Sequence, residues 1–329
     1  MDVVLEVLDY AFFDKAYATL FPSRTANTSS IVDFIAEEKY FLLPPTTDAF
    51  LSALPRDNMI RQTFSLWLVT WVFGVILYFL FSGLSYRFIF DHATFQHPKF
   101  LKNQVHMEIR QSMESLPVMS LCTAFAFMME VRGHSLLYMS PAEYGWTYAV
   151  LQFPIFLLFT DCFIYLIHRG LHHKVIYKRL HKPHHKWIVP TPFASYAFHP
   201  LDGFAQSIPY HLFVFLFPLQ KFAYIGLFVF VNIWTILIHD GEYLSNNALI
   251  NSAACHSVHH LYFNHNYGQY TTLWDRLGGS YRRPDAEFFD EKLKMNPSTW
   301  KQQSKEMEHI VDEVEDGDDR VYGNERKMK

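Results

Sequence analysis

Residues 145–185 read GWTYAVLQFPIFLLFTDCFIYLIHRGLHHKVIYKRLHKPHH and join a long apolar stretch to two groups of histidines. The apolar part, from Gly145 to Ile167, is long enough to cross the roughly 30 Å of hydrocarbon in a bilayer. The histidines begin where that stretch ends. This part of the sequence therefore predicts a membrane-spanning helix that carries a polar, histidine-rich cap at one end.

Three further apolar stretches predict more membrane helices. Residues 63–86 carry no charge and predict a first span, whereas residues 116–129 form a shorter stretch that is marginal for a second. The stretch from Gly203 to His239 is too long for one helix, and Pro218-Leu219-Gln220-Lys221 in its middle offers a turn. We expect two helices or a deep hairpin there. Strand-type alternation is weak, so the regular structure should be mostly helical.

The overall composition agrees with a membrane protein and excludes several other classes. Of the 329 residues 50% are hydrophobic and 18% are charged, which is below the roughly 25% charge typical of a soluble domain. A net charge of −4 argues against nucleic acid as a partner. The 3 cysteines include no CxxC pair, so the sequence predicts neither a disulfide framework nor a cysteine zinc site.

The charges of the loops predict the orientation in the membrane. Basic residues concentrate in 87–110 and 169–186, whereas the loop between the second and third spans contains only Arg132. The positive-inside rule therefore places the histidine groups and the C-terminus in the cytosol. The sequon Asn27-Thr28-Ser29 agrees with a lumenal N-terminus, and Arg326-Lys327-Met328-Lys329 fits a retrieval signal for the endoplasmic reticulum. We expect a multi-pass protein of the endoplasmic reticulum membrane.

Three histidine groups stand out among the 18 histidines of the chain. Residues three or four apart share one face of a helix, so the histidines of each group should point in one direction. Pro183 interrupts the second group, and His181 is expected to approach from a loop. The groups are His168-Arg-Gly-Leu-His172-His173, His181-Lys-Pro-His184-His185 and His256-Ser-Val-His259-His260.

So many imidazoles imply two metal ions, because a single zinc needs only about four ligands. Imidazole suits Fe, Zn, Cu and Ni, and a site at a membrane that lacks carboxylate and thiolate fits redox iron that activates O₂. Ordinary surface histidines in a basic loop would explain one such group as well, but hardly three. The predicted fold class is an all-α polytopic membrane protein: about four transmembrane helices with a cytosolic helical cap that carries a His-rich dimetal site.

Several residues near these groups are secondary candidates. His239 is either a further ligand or an interfacial histidine bonded to its neighbour, while His199 is structural or substrate-facing and His265 lies off the pattern. Metal-bound imidazoles usually donate to an acid or a carbonyl. The candidate acids are Asp161, Asp240, Glu242 and Asp275.

The three groups resemble the histidine boxes of the membrane-bound fatty acid hydroxylase and sterol desaturase superfamily, over roughly Leu116–Pro284. The flanking stretches 189–212, 234–243 and 259–284 are similar to those of sterol C5-desaturases of the lathosterol oxidase type, in the form found in fungi. The role of His173 in the first box is less certain. The resemblance implies that the metal ligands are His168, His172, His181, His184, His185, His239, His256, His259 and His260.

The resemblance also implies a reaction. A sterol C5(6)-desaturase introduces a double bond into Δ7-sterols in ergosterol-type biosynthesis, with two Fe ions and O₂ as co-substrate. Its electrons come from cytochrome b5 and an NAD(P)H reductase, which agrees with the lack of a nucleotide-binding fingerprint in this sequence. The basic residues Lys174, Lys178, Arg179 and Lys186 are expected to dock an acidic carrier. The other partners implied are a membrane sterol and the lipid bilayer.

Alternatives remain open at this point. A sterol C4-methyl oxidase or a fatty-acyl or sphingolipid hydroxylase would share the boxes. A membrane metal transporter would need polar or histidine residues in the middle of several spans, and these spans are nearly free of them. The oligomeric state and the preferred sterol side chain stay open. Three regions are predicted: a lumenal or interfacial segment (1–62), a membrane and catalytic domain (63–284) and a cytosolic charged tail (285–329), in which Asp312 to Asp319 are expected to be solvated.

Overall fold

The computed structural model describes residues 1–23, 42–243, 245–285, 289–315 and 317–323, and within these ranges the chain is almost entirely helical. The sequon at Asn27 and the basic residues 326–329 lie outside the described residues. The elements are α1 (Asp2–Leu8), α2 (Asp14–Leu20), α3 (Thr47–Leu51), α4 (Met59–Phe88), α5 (Gln104–Val131), β1 (Leu137–Tyr138), α6 (Trp146–Leu171), α7 (Lys174–Leu180), α8 (Lys182–His185), α9 (Pro200–Leu216), β2 (Leu219–Gln220), α10 (Lys221–Ile238), α11 (Ala253–Tyr262), α12 (Leu273–Leu277), α13 (Glu291–Lys294) and α14 (Pro297–Glu315).

Four helices are long and apolar enough to cross a membrane, namely α4, α5, α6 and α10. The expected number of spans is therefore confirmed. The stretch from Gly203 to His239 forms two helices, α9 and α10, with the turn at the expected position. Strand β2 lies in this turn and pairs in parallel with β1, so that the turn is tied to the loop between α5 and α6.

Helix α5 begins twelve residues before the marginal stretch that predicted it. Its first half is polar on one face, where Gln104, Glu108, Ser112 and Ser115 are all buried. These side chains bond to the segment 189–198: the Gln104 amide donates to the Val189 carbonyl and the Ser112 hydroxyl to the Phe193 carbonyl. Hydropathy misses this half because its polar residues face other protein groups and not lipid.

The N-terminal helices attach to α4 through a buried ion cluster. The Arg61 guanidinium donates to Asp9 at 2.8 Å and to Asp14 at 2.6 Å, and Arg56 also donates to Asp14. Asn58 caps the start of α4 by accepting from the backbone of Ile60 and Arg61. Buried charges are tolerated when they are paired in this way.

The candidate site lies at the end of the bundle where α6 and α10 finish and α9 begins. The cap over this end consists of α7, α8 and α11, which contain the second and third histidine groups. The N-terminal helices lie at the other end, where Asp2 pairs with Lys221 at the start of α10. The spans thus separate a histidine-rich end from an end without predicted ligands.

The C-terminal segment packs on the cap through the apolar face of α14, while Asp312, Glu313, Asp318 and Asp319 of the acidic run are exposed as expected. Met307 and Val311 of α14 are fully buried against Tyr177 and Val258. Glu315, within the acidic run, is buried as well because it accepts hydrogen bonds from the Arg320 guanidinium and the Tyr177 hydroxyl. Apolar residues that recur at helical spacing along α14 explain this packing, which the charge of the segment alone does not predict.

Candidate metal centre

All nine predicted ligands meet at the histidine-rich end. His168 lies in the last turn of α6, and His172 is the residue that follows the end of this helix. His239 caps the C-terminus of α10. His181 lies in the junction between α7 and α8, which agrees with the expectation that Pro183 keeps it out of a regular helix. The second and third histidine groups supply the remaining residues, which are His184, His185, His256, His259 and His260.

The nine imidazoles form two compact groups, and each group could hold one metal ion. Within a group, one ligand nitrogen from every residue lies within 4.8 Å of all the others. Group A consists of His168, His172, His181, His185 and His259. Group B consists of His184, His239, His256 and His260.

Histidines that are adjacent in the sequence belong to different metal-binding groups, one to group A and the other to group B. His184 is in group B and His185 in group A, and His259 and His260 are divided in the same way. Successive residues of a helix point about 100° apart. The expectation that His256, His259 and His260 would point in one direction is therefore wrong for His259. Each HxxHH motif serves both groups at once, which also fixes the two groups side by side.

The spacing of the ring nitrogens suits coordination to a single ion. The Nε2 atoms of His256 and His239 are 2.9 Å apart, and those of His239 and His184 are 3.4 Å apart. In group A the Nε2 atoms of His185 and His172 are 3.2 Å apart. Tetrahedral ligands at about 2.0–2.1 Å from an ion would be roughly 3.3 Å apart.

Backbone carbonyls orient three of the rings. His168 Nδ1 lies 3.0 Å from the Tyr267 carbonyl, His239 Nδ1 2.6 Å from the Thr235 carbonyl and His259 Nδ1 2.7 Å from the His265 carbonyl. A carbonyl only accepts hydrogen bonds, so each Nδ1 carries the proton. The Nε2 atom of each ring is then left with a lone pair for a metal.

A carboxylate orients a fourth ring, and it is not one of the four acids expected. His181 Nδ1 lies 2.8 Å from Asp202 Oδ2, and both side chains are fully buried. Asp202 lies in the first turn of α9, 38 residues or more along the chain from each of the four expected acids. A charged residue at the start of an otherwise apolar helix was the available signal.

The four expected acids have other contacts. Asp161 accepts from the backbone of Tyr270 at 2.7 Å and of Gln269 at 3.0 Å, and Asp275 accepts from Tyr267 and Gly268. Both carboxylates therefore hold the loop that follows α11 and presents the Tyr267 carbonyl to group A. Of the other two, Asp240 accepts from the backbone amide of Glu242, and Glu242 accepts from that of Asp91. The described contacts give none of the four an imidazole partner.

The remaining histidines of interest lie outside the two groups. His173 is exposed and caps α7, and His199 caps α9 by accepting from the Leu201 amide. His265 contributes its carbonyl to His259. His211 is buried against the Phe127 ring, with its Nδ1 3.5 Å from the Tyr224 hydroxyl.

The electrostatics keep the rings neutral. Burial holds the pKa of the imidazoles outside the candidate spans well below its usual value, and the charge that neighbouring rings would carry lowers the pKa further. The neutral form is the one that binds metals. The residues concerned are His172, His184, His185, His256, His259 and His260.

The donor set fits a bound cation. In group A, His168 and His181 both carry their protons on Nδ1, yet their Nε2 atoms lie 3.1 Å apart. Two unprotonated nitrogens at this distance repel each other unless a cation lies beside both. His259 Nε2 is likewise buried without a hydrogen-bond partner in the described part of the chain. Buried nitrogens of this kind need a ligand to compensate for lost solvation.

A cavity leads from the two groups into the helix bundle between α4, α5, α9 and α10. His168, His239 and His256 line its inner end, so both groups face it. Leu77, Leu116, Met119, Ile164, Phe198, Phe228 and Val231 supply much of its apolar wall. An apolar molecule in this cavity would be in direct contact with imidazoles of both groups.

A model of the fatty acid hydroxylase family matches residues 153–280, which include all three histidine groups. A probable Delta(7)-sterol 5(6)-desaturase from Neurospora crassa is 58% identical over 98% of this chain and 97% of its own length. The Delta(7)-sterol 5(6)-desaturase from Leptosphaeria maculans is 51% identical and that from Saccharomyces cerevisiae 46%, each over 100% of this chain and 99% of its own length. No solved structure matches significantly. The chain therefore belongs to the fatty acid hydroxylase family and, within it, to the group of the fungal Delta(7)-sterol 5(6)-desaturases.

Proposed function

We propose that this protein is a Δ7-sterol 5(6)-desaturase of ergosterol biosynthesis. It removes one hydrogen each from C5 and C6 of a Δ7-sterol and forms a double bond between them. O₂ is reduced to two waters with four electrons, of which two come from the broken C–H bonds and two from a donor protein. The observation that carries the proposal is the apolar cavity that ends on two groups of buried imidazoles, in a chain with full-length desaturase relatives.

We assign one iron ion to each group. When bound, the iron pair supplies the O₂-dependent oxidation of unactivated C–H bonds, chemistry that redox-inactive zinc cannot supply. The chain contributes neutral imidazoles, a buried surrounding that excludes bulk water, and Nδ1 partners that fix each ring. The proposed ligands are His168, His172, His181, His185 and His259 for one ion and His184, His239, His256 and His260 for the other.

The cavity holds the sterol with its reacting edge toward the histidines. Its apolar wall matches the ring system of a sterol, and burial of such a substrate is favourable by about 25 cal/mol for each Å² removed from water. The substrate would enter from the bilayer, because the cavity lies between helices that are long and apolar enough to span it.

The electron donor is proposed to be cytochrome b5, reduced by an NAD(P)H reductase. A groove beside α8 is lined by Lys102, Lys178 and Lys186, together with Lys182, which pairs with Asp319 in the same groove, and Arg320, which pairs with Glu315. The Arg320 guanidinium also donates to the carbonyl of His185 at 3.0 Å. An acidic carrier in this groove would be separated from group A by little more than one side chain, and complementary charge would speed its association.

The protein is proposed to lie in the endoplasmic reticulum membrane with the histidine-rich end in the cytosol. The distribution of basic loop residues supports this orientation. The donor groove described above lies at the same end as the histidines, which is the arrangement a cytosolic electron carrier needs.

Sterol profiling of cells that lack this protein tests the proposed function. We expect Δ7-sterols without the 5,6 double bond to accumulate, and re-expression of the intact chain to remove them. Accumulation of 4-methylsterols would instead indicate a sterol C4-methyl oxidase, and an unchanged sterol profile with altered hydroxylated lipids would indicate a fatty-acyl or sphingolipid hydroxylase. Either result would overturn the proposal.

A further inference from the structure

The chemistry of the substrate restricts where its hydroxyl group can be recognised; this inference rests on the proposed function. In a 3-hydroxy-Δ7-sterol only three bonds separate the hydroxyl oxygen from C5, so the oxygen lies within about 4 Å of that carbon. If C5 and C6 face the histidines, the hydroxyl must lie beside them too. A group that recognises it therefore lines the inner end of the cavity, whereas the sterol side chain extends toward the bilayer.

Gln206 is the first side chain that meets this condition. It lines the cavity, and its Nε2 donates to Asp202 Oδ1 at 2.9 Å. The other oxygen of Asp202 is bonded to His181 of group A. Since a carboxylate only accepts hydrogen bonds, the amide nitrogen of Gln206 must face Asp202. Its carbonyl oxygen is thereby turned away from the carboxylate.

Gln269 is placed in the same way beside group B. It also lines the cavity, and its Nε2 donates to Thr235 Oγ1 at 3.1 Å. The Thr235 hydroxyl donates its hydrogen to the Val231 carbonyl, so toward Gln269 its oxygen can act only as an acceptor. The backbone carbonyl of Thr235 accepts a hydrogen bond from His239 Nδ1. The orientation of this amide is thus fixed as well.

Asn232 is a third side-chain amide of the cavity wall, and both of its polar atoms are engaged. Its nitrogen donates to the Phe228 carbonyl and its oxygen accepts from the Tyr196 hydroxyl. The carbonyl oxygens of the two glutamines accept no hydrogen bond from the residues that the structure describes.

We propose that the side-chain carbonyls of Gln206 and Gln269 form the recognition site for the 3-hydroxyl group of the sterol. The hydroxyl donates its single hydrogen to one of the two carbonyls, and the ring that carries it is held between groups A and B. The two residues are specificity determinants: they select a sterol with a free hydroxyl, and they fix which carbons face the histidines.

Binding of a labelled sterol and its ether tests this site without requiring turnover. The probes are tritiated 5α-cholest-7-en-3β-ol and its 3-methyl ether, which cannot donate a hydrogen bond, and each is bound to the detergent-solubilised full-length protein. We expect the unmodified protein to bind the free alcohol at least about tenfold more tightly than the ether. In Gln206→Met with Gln269→Met the preference should fall to within about threefold, and the single variants identify the dominant carbonyl.

Gln302→Met is the matched control, because it makes the same exchange at an exposed position of α14 outside the cavity. It should keep the full preference. Equal binding of alcohol and ether to the unmodified protein would overturn the inference while leaving the desaturase proposal intact. A retained preference in the double variant would do the same. If neither sterol bound at all, the proposed function itself would fail.

Discussion

Groups A and B contain similar imidazoles but are held by different means. Group A has the buried carboxylate of Asp202 on His181 and the guanidinium of Arg320 on the backbone of His185. Group B contains His239 and His256, which line the proposed substrate cavity, and the described partners of its rings outside the histidines are backbone groups, at Thr235 for His239 and at Trp187 for His260. We infer that group A depends on charge and on the C-terminal segment, whereas group B depends on the ends of α10 and α11 and is more exposed to substrate.

Removing one ligand from each group should have the largest effect. His259→Ala in group A and His256→Ala in group B are each expected to abolish turnover, by more than about a hundredfold, while membrane insertion stays intact. Each variant should lose iron from its own group first, which metal analysis of the purified proteins would reveal. His173→Ala is the control, since His173 is exposed and caps α7. Normal activity of His259→Ala would remove the third histidine motif from the site.

Asp202→Asn should weaken iron binding in group A while leaving iron binding in group B unchanged. The amide would present a donor to His181 Nδ1 and favour the wrong tautomer, so iron in group A should bind about 10–100-fold more weakly. Group B has no carboxylate on a ring among its described contacts and should keep its iron. Iron titration of this variant, with the exposed Asp312→Asn as control, measures the difference. Equal loss from both groups would mean that Asp202 supports the cap as a whole.

The C-terminal segment should matter for group A through stability. In Arg320→Gln the buried carboxylate of Glu315 loses one of two cationic partners and keeps Lys182 at 3.3 Å, so the loss of folding free energy should stay below the about 3–5 kcal/mol of a charge left unpaired. We expect a lower melting temperature in detergent and faster loss of iron. Glu313→Gln breaks only an exposed pair with His309, worth about 0–1 kcal/mol, and serves as the control. Identical melting of the two variants would show that the tail does not support the cap.

The smallest expected effect concerns His97, which lies outside both groups and should make the stability of the fold depend on pH. Burial against α14 lowers its pKa to about 4, well under the value of about 6.5 expected in the unfolded chain. The neutral ring therefore stabilises the fold above pH 6.5, and this contribution, about 3 kcal/mol at most, is lost as the pH falls toward 4. Melting curves from pH 7.5 to 4.5 should fall less steeply for His97→Gln, and parallel curves would contradict the assignment.

The sequence predicted the convergence of the histidines because their spacing and their position at helix ends are local features. It could not divide them between the groups, since the assignment of His184 and His185 to different groups depends on how α8 packs against α11. Asp202 and the carbonyl of Thr235 were missed for a similar reason. Both contact the rings only through tertiary packing. Since every residue has a backbone carbonyl, the sequence does not indicate which carbonyl accepts a hydrogen bond from a histidine.

The fold shows the same limit. Long apolar runs and the turn at Pro218 sufficed to predict α4, α6, α9 and α10. The first half of α5 was not recognised, because its polar face binds the segment that follows α8. The packing of α14 was not predicted from charge, because Glu315 pairs with Arg320 inside the protein whereas Asp312 and Glu313 of the same acidic run are exposed as expected.

Anomalous X-ray scattering at the iron absorption edge, from crystals of the protein loaded with iron, tests the central claim most directly. The account predicts two iron peaks, one among the five imidazoles of group A and one among the four of group B. A single peak shared by all nine rings, or iron bound away from both groups, would contradict it.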